Sequence, residues 1–135
     1  MKHTRIPVCI LSLIVLITAI GLPVLADGIV PFADDIFLSA SVSLSTEKKA
    51  TFTAKTLVSA SSIKVTSCTL EKQVGSEWVY VKDLTPPSTE AKNTVSYSAS
   101  VGYSSNIPSG GPYRVKAVFN ADGHTVTKPS AGRTF

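Results

Sequence analysis

The stretch SGGPYRVKAVFNADGHTVT, residues 109–127, decides the fold class. Apolar and polar residues alternate over 113–119, which is the side-chain period of a half-buried β-strand. Asp122 and Gly123 then form a dipeptide that tight hairpins favour, and a second alternating run follows. The segment therefore predicts the last two strands of an antiparallel sheet, with Gly123 in the turn between them.

The same period of two recurs upstream, at a spacing of about 8–12 residues that is typical of all-β sandwiches and barrels. The predicted strands lie at 36–45, 50–58, 63–74, 78–81 and 95–101. A loop is predicted at 59–62, and a loop or ragged edge at 83–93. The apolar phase slips within the third run. This slip indicates either a bulge near Thr66 or Ser67 or a strand that begins at Thr66.

The N-terminus has the pattern of a secretory signal. A basic segment at 2–5 precedes an apolar run at 8–20, and small or short residues at 24–26 form a cleavage site. We therefore expect a signal peptide over 1–26, an irregular arm over 27–35, and one secreted domain over 36–135. The alternative is a retained signal anchor, because 8–26 is about as long as a membrane span of ~20 residues.

Charge and cysteine content limit the kinds of partner and of covalent bond that can be expected. Loss of Lys2 and Arg5 with the signal lowers the 13 basic residues to 11, against 9 acidic residues. This balance is too weak to predict a nucleic-acid partner, and membrane contact is expected only through an uncleaved signal. Cys68 remains as the only cysteine beyond the signal, so no disulfide can form within the domain. We expect a buried apolar residue, with an intermolecular disulfide or a nucleophile as alternatives.

The segment IPSGGPYRVKA, residues 107–117, resembles the entry to the second-to-last strand of fibronectin type III and related immunoglobulin-like domains. Ile107 lies six positions before Tyr113, as in those domains. The resemblance implies an immunoglobulin-like β-sandwich of about seven strands, in which the Tyr113 hydroxyl donates to the backbone upstream. The whole chain also resembles uncharacterised exported proteins of this kind from Gram-positive bacteria, a resemblance that implies no activity.

We find no pattern that predicts catalysis, a metal site or a cofactor. His124 is the only histidine beyond the signal and directly follows a turn glycine, so it is expected at the surface. The paired acids at 34–35 are too few for a Ca²⁺ site, which takes six or more oxygens. Glu71 and Glu77 are interpreted as ordinary surface charge on a hairpin. The protein is therefore expected to be non-enzymatic.

Trp78 and Tyr80 are the candidate ligand-binding residues, because they share one face of a short strand. If Val79 and Val81 point inward, the two aromatic rings form an exposed surface. Otherwise Trp78 covers the core, which is the position we expect. The function predicted is binding of an unknown extracellular protein or glycan, and the alternatives are a carbohydrate-binding module or a small secreted toxin resembling a bacteriocin.

Overall fold

The computed structural model describes residues 36–135, which form a single antiparallel sheet of six strands and, over that range, no helix. The strands are β1 (Phe37–Leu44), β2 (Lys49–Val74), β3 (Glu77–Leu84), β4 (Glu90–Gly102), β5 (Tyr113–Ala121) and β6 (His124–Pro129). The prediction of an all-β fold is thus confirmed. The predicted signal peptide over 1–26 and the arm over 27–35 lie outside the described residues.

The central strand, β2, organises the sheet because it is 26 residues long and changes partners along its length. Its first half pairs with β1 on one edge and β4 on the other. Its second half pairs with β5 and β3, and β6 pairs with β5. The sheet is curled, and apolar side chains of both halves form one buried cluster.

Register shifts interrupt all four ladders of β2. The register with β5 shifts between Val65 and Ser67, so the predicted bulge is confirmed. The predicted loop at 59–62 is wrong, because these residues lie inside β2. The backbone amides here have hydrogen-bond partners from elsewhere in the chain. The Asp122 carboxylate accepts from the amides of Ser61 and Ser62 at 2.9 and 3.0 Å.

The segment 83–93, predicted as a loop or ragged edge, is a loop only in its middle. Strand β3 continues to Leu84, which pairs with Cys68, and β4 already begins at Glu90, which pairs with Lys64. Only residues 85–89, which contain two adjacent prolines, lie between these two strands. The strands extend beyond their alternating patterns because the long β2 offers backbone partners along this whole edge.

The core follows the predicted alternation of the opening segment, since Tyr113, Val115, Ala117 and Phe119 are all buried. The ring of Phe119 meets the ring of Tyr97 edge to face, with 6.4 Å between the centroids. These two rings connect β5 with β4, which belong to different halves of the sheet. Aromatic pairs of this geometry add about 0.5–1.5 kcal/mol to the burial of their area.

The turn predicted between the last two strands is a two-residue hairpin. Asp122 and Gly123 have φ angles of 50° and 91°, and Ala121 pairs with His124. Positive φ at both central positions is the geometry that matches the twist of the flanking strands. The Asn120 side chain accepts from the amide of Gly123 at 3.1 Å.

The C-terminal tail that follows β6 returns along the start of β5. The backbone groups of Arg133 and Tyr113 exchange two hydrogen bonds, at 2.9 and 2.8 Å, and the Ser130 amide donates to Val115 at 2.8 Å. The Arg133 side chain also donates through Nε to the carbonyl oxygen of Leu44 at 2.7 Å. The tail therefore connects β5 to the end of β1.

Candidate functional site

The outer side of β3 carries both predicted ligand-binding residues. Trp78 pairs with Gln73 and Tyr80 pairs with Glu71, and directly opposed residues in an antiparallel pair share one face of the sheet. Glu71 is in turn opposite Arg114 of β5. We call these five residues, Trp78, Tyr80, Gln73, Glu71 and Arg114, the aromatic face.

The two aromatic rings differ in exposure. The Tyr80 side chain is 59% exposed, whereas Trp78 is half-buried and does not belong to the buried core. The guanidinium carbon of Arg114 lies 4.4 Å from the centroid of the Trp78 ring, within the range of a cation–π contact. Trp78 is thus held at the surface by a charged neighbour instead of covering the core.

A glycine of the C-terminal tail makes room for the Trp78 ring. A Cβ atom added to Gly132 would lie 2.6 Å from Cη2 of Trp78. Carbon atoms do not approach so closely, so a larger residue at position 132 would displace the ring. The tail therefore contributes to the position of Trp78, although it is far from β3 in sequence.

The prediction that Glu71 is ordinary surface charge is wrong, because Glu71 is the buried member of the aromatic face. Arg114 donates through Nε to Glu71 at 2.6 Å, and the Lys116 ammonium lies 2.8 Å from the other carboxylate oxygen. Burial raises the pKa of Glu71, but the hydrogen bonds and positive charges of Lys116 and Arg114 outweigh it and hold the pKa below its usual value. The carboxylate is therefore ionised and fully paired at neutral pH.

The side chains of Val79 and Val81 in β3 are not buried in the core, since they are 47% and 39% exposed. The register with β2 skips one residue at Val81, where Leu70 pairs with Lys82 and Glu71 with Tyr80. This bulge changes which side of the strand faces inward. Leu84, at the other end of β3, is the residue of this strand that the core buries.

Tyr113 and Ile107, the residues on which the fibronectin resemblance rests, are both buried. The hydroxyl groups that donate to upstream backbone carbonyls belong to two other tyrosines. Tyr103 donates to Thr85 at 2.6 Å, and Tyr97 donates to Thr89 at 3.2 Å. Tyr103 lies in the turn-rich connection, but it continues the odd-position pattern of the run at 95–101, and this was the available signal for its burial.

Cys68 and His124 differ in burial. Cys68 is buried, and burial raises the pKa of its thiol to about 11, against the opposing effect of a hydrogen bond with Tyr103. A thiol in this state is protonated at neutral pH and is a poor nucleophile. His124 is exposed at the start of β6, beside the hairpin turn.

In the part of the chain that the structure describes, no enclosed pocket is found and no three His, Cys, Asp or Glu side chains are grouped as a metal site would require. Over the same residues, no helix has the length and apolar character needed to cross a membrane. Comparison of the chain with protein-family models and with curated proteins gives no match.

Proposed function

We propose that the protein is an exported, non-enzymatic binding protein that acts at or beyond the cell surface through its aromatic face. The observation that carries the proposal is the pair of rings on β3, in which Tyr80 is exposed and Trp78 is supported from below by Arg114. Aromatic side chains present a large contact area with little loss of conformational entropy on binding, which is why they are enriched at binding surfaces.

The architecture proposed is an immunoglobulin-like sandwich. Support comes from the pairing pattern, because β2 changes partners near its middle, as two successive strands of a sandwich would. Its first half would lie in one layer with β1 and β4, and its second half in the other layer with β3, β5 and β6. The edge-to-face contact between Tyr97 and Phe119 would then join the two inner faces.

Export is supported by the basic, apolar and small-residue segments of 1–26. When the full coding sequence is expressed, the form in the culture medium should begin at or near Asp27, as shown by its intact mass. Recovery of only the full-length chain, in the membrane fraction, would contradict cleavage and support the retained anchor.

The binding proposal is tested with Tyr80→Ala on the full chain expressed with its N-terminal segment. The expected result is reduced retention on Gram-positive cells, because this change removes the exposed ring while leaving the core intact. Leu57→Ala is the matched control, since Leu57 is equally exposed, at 63%, but lies outside the aromatic face. Equal retention of wild type and Tyr80→Ala would contradict the proposal.

A further inference from the structure

Resting on the proposed function, we infer that the ligand of the aromatic face is an uncharged linear polysaccharide that lies along β3. The inference depends on four features of this face, which are the spacing of its rings, the covered side of Trp78, its balance of charge and its area. Together they favour a chain of uncharged sugar rings over a folded protein or a charged polymer.

The first feature is the spacing of the two rings. Trp78 and Tyr80 are two residues apart on one strand, so their Cα atoms are separated by about 6.6–6.8 Å along β3. The rings therefore follow the strand in a row. A polymer of flat-sided rings that runs parallel to β3 can place successive or alternate sugars on them, whereas a single sugar can contact only one.

The second feature is that the indole of Trp78 is covered on one side. The guanidinium of Arg114 lies over the ring at 4.4 Å, and the same guanidinium is bound to Glu71 at 2.6 Å. A ligand can therefore contact only the part of the indole that Arg114 and Gly132 leave exposed, and it cannot be clamped between two faces. This arrangement suits an open platform, on which a long chain can lie without its ends entering a cavity.

The third feature is charge. The buried carboxylate of Glu71 is bound by both Arg114 and Lys116, so these cations are already engaged. The exposed Asp83 pairs with Thr69, which in turn pairs with Lys116, so a second acidic residue lies on the same side of the sheet. These two acidic and two basic residues carry no net charge between them, and this local balance is complementary to an uncharged partner.

The fourth feature is area. With Tyr80 59% exposed and Trp78 half-buried, the two rings present on the order of 200 Å² to solvent. A stable protein interface buries about 800 Å² on each partner. The aromatic surface is thus too small to account for a stable protein complex, but it is large enough for two stacked sugars. The half-buried amide of Gln73 lies opposite Trp78 and can hydrogen-bond to hydroxyl groups.

The test measures retention of the full chain on cellulose, chitin, mannan and amylose, with polygalacturonate as the charged comparison. We expect retention on at least one of the uncharged polymers, and tighter binding of its hexasaccharide than of its monosaccharide. The single tryptophan, Trp78, provides a fluorescence readout of the site. Tyr80→Ala should weaken binding roughly 3- to 10-fold, while Tyr80→Phe, which keeps the stacking ring, should stay within about twofold of the wild type.

Retention on the charged polymer alone, or on none of the five, would overturn the inference. The proposed function is distinguished by retention on whole Gram-positive cells before and after protease treatment. If retention on cells depends on Tyr80 but is lost after the protease treatment, the partner is a protein, and only the polysaccharide inference fails. If retention on cells does not depend on Tyr80, both proposals fail.

Discussion

Arg114 contacts Trp78 and Glu71 at once: its guanidinium carbon lies 4.4 Å from the indole centroid, and its Nε lies 2.6 Å from the carboxylate. The side chain thereby links a buried ion pair to an aromatic ring at the surface. A guanidinium is suited to both contacts, because its plane stacks on a ring while its edge donates hydrogen bonds. The position of Trp78 consequently depends on residues from β2, β5 and the C-terminal tail.

The close contact between Gly132 of the C-terminal tail and the Trp78 ring predicts the effect of Gly132→Ala. The new methyl group would overlap the Trp78 ring, since its ideal position is 2.6 Å from Cη2. We expect a red shift of the tryptophan emission and a loss of about 1–3 kcal/mol in the free energy of unfolding. Gly102→Ala is the control, because a Cβ there meets no atom within 4 Å. Emission unchanged in Gly132→Ala would show that the tail does not position the ring.

The ion pair predicts a pH-dependent contribution of Glu71 to stability. Its pKa in the folded state is held below the ordinary 4.5 by Lys116 and Arg114, which outweigh the opposing effect of burial. A lowered folded-state pKa means that the stabilisation is present above 4.5 and is lost as the pH falls through the folded value. Glu71→Gln should therefore cost about 1.5–3 kcal/mol at pH 7 and less at pH 3, measured by denaturant unfolding.

Glu77→Gln serves as the control for that experiment, because Glu77 is exposed at the start of the same hairpin strand. It should change stability little at either pH, as exposed charges contribute little. A Glu71→Gln variant with the same deficit at pH 3 as at pH 7 would show that the loss arises from packing and not from the charge of the carboxylate.

The tyrosine bonds predict which hydroxyl groups stabilise the fold. Tyr103→Phe removes the donor to the Thr85 carbonyl and should lower the free energy of unfolding by about 0.5–1.5 kcal/mol. Tyr113→Phe should cost less, because the Tyr113 hydroxyl forms no hydrogen bond within residues 36–135. Both losses are measurable by denaturant melts. A larger loss for Tyr113→Phe would instead assign the role implied by the fibronectin resemblance to Tyr113.

Burial of Cys68 predicts slow modification of its thiol. With a pKa of about 11 and almost no exposure, the thiol should react with iodoacetamide at pH 8 only when the domain opens. Mass spectrometry of the peptide that contains Cys68 should show rapid alkylation in denaturant and little in buffer. Rapid alkylation of the native protein, or a dimer that reducing agent dissociates, would contradict the buried position.

The strands themselves could largely be predicted from the sequence, because each buries one face and so alternates between apolar and polar residues. This is clearest over 113–119, where the alternation matches the observed burial residue by residue. The prediction failed at 59–62, where small and polar residues are typical of a loop. There the backbone is kept in β2 by partners from elsewhere in the chain, including the Asp122 carboxylate.

The sequence by itself determined the all-β class, the hairpin at Asp122 and Gly123, and the presence of Trp78 and Tyr80 on one side of a strand. These are local properties, set by side-chain period and by the φ angles that a turn requires. Only the tertiary structure decided that Glu71 is buried between Arg114 and Lys116 and that Gly132 makes room for the indole. Those contacts join residues more than forty positions apart, and their register depends on the bulges of β2 and β3, which no local pattern specifies in full.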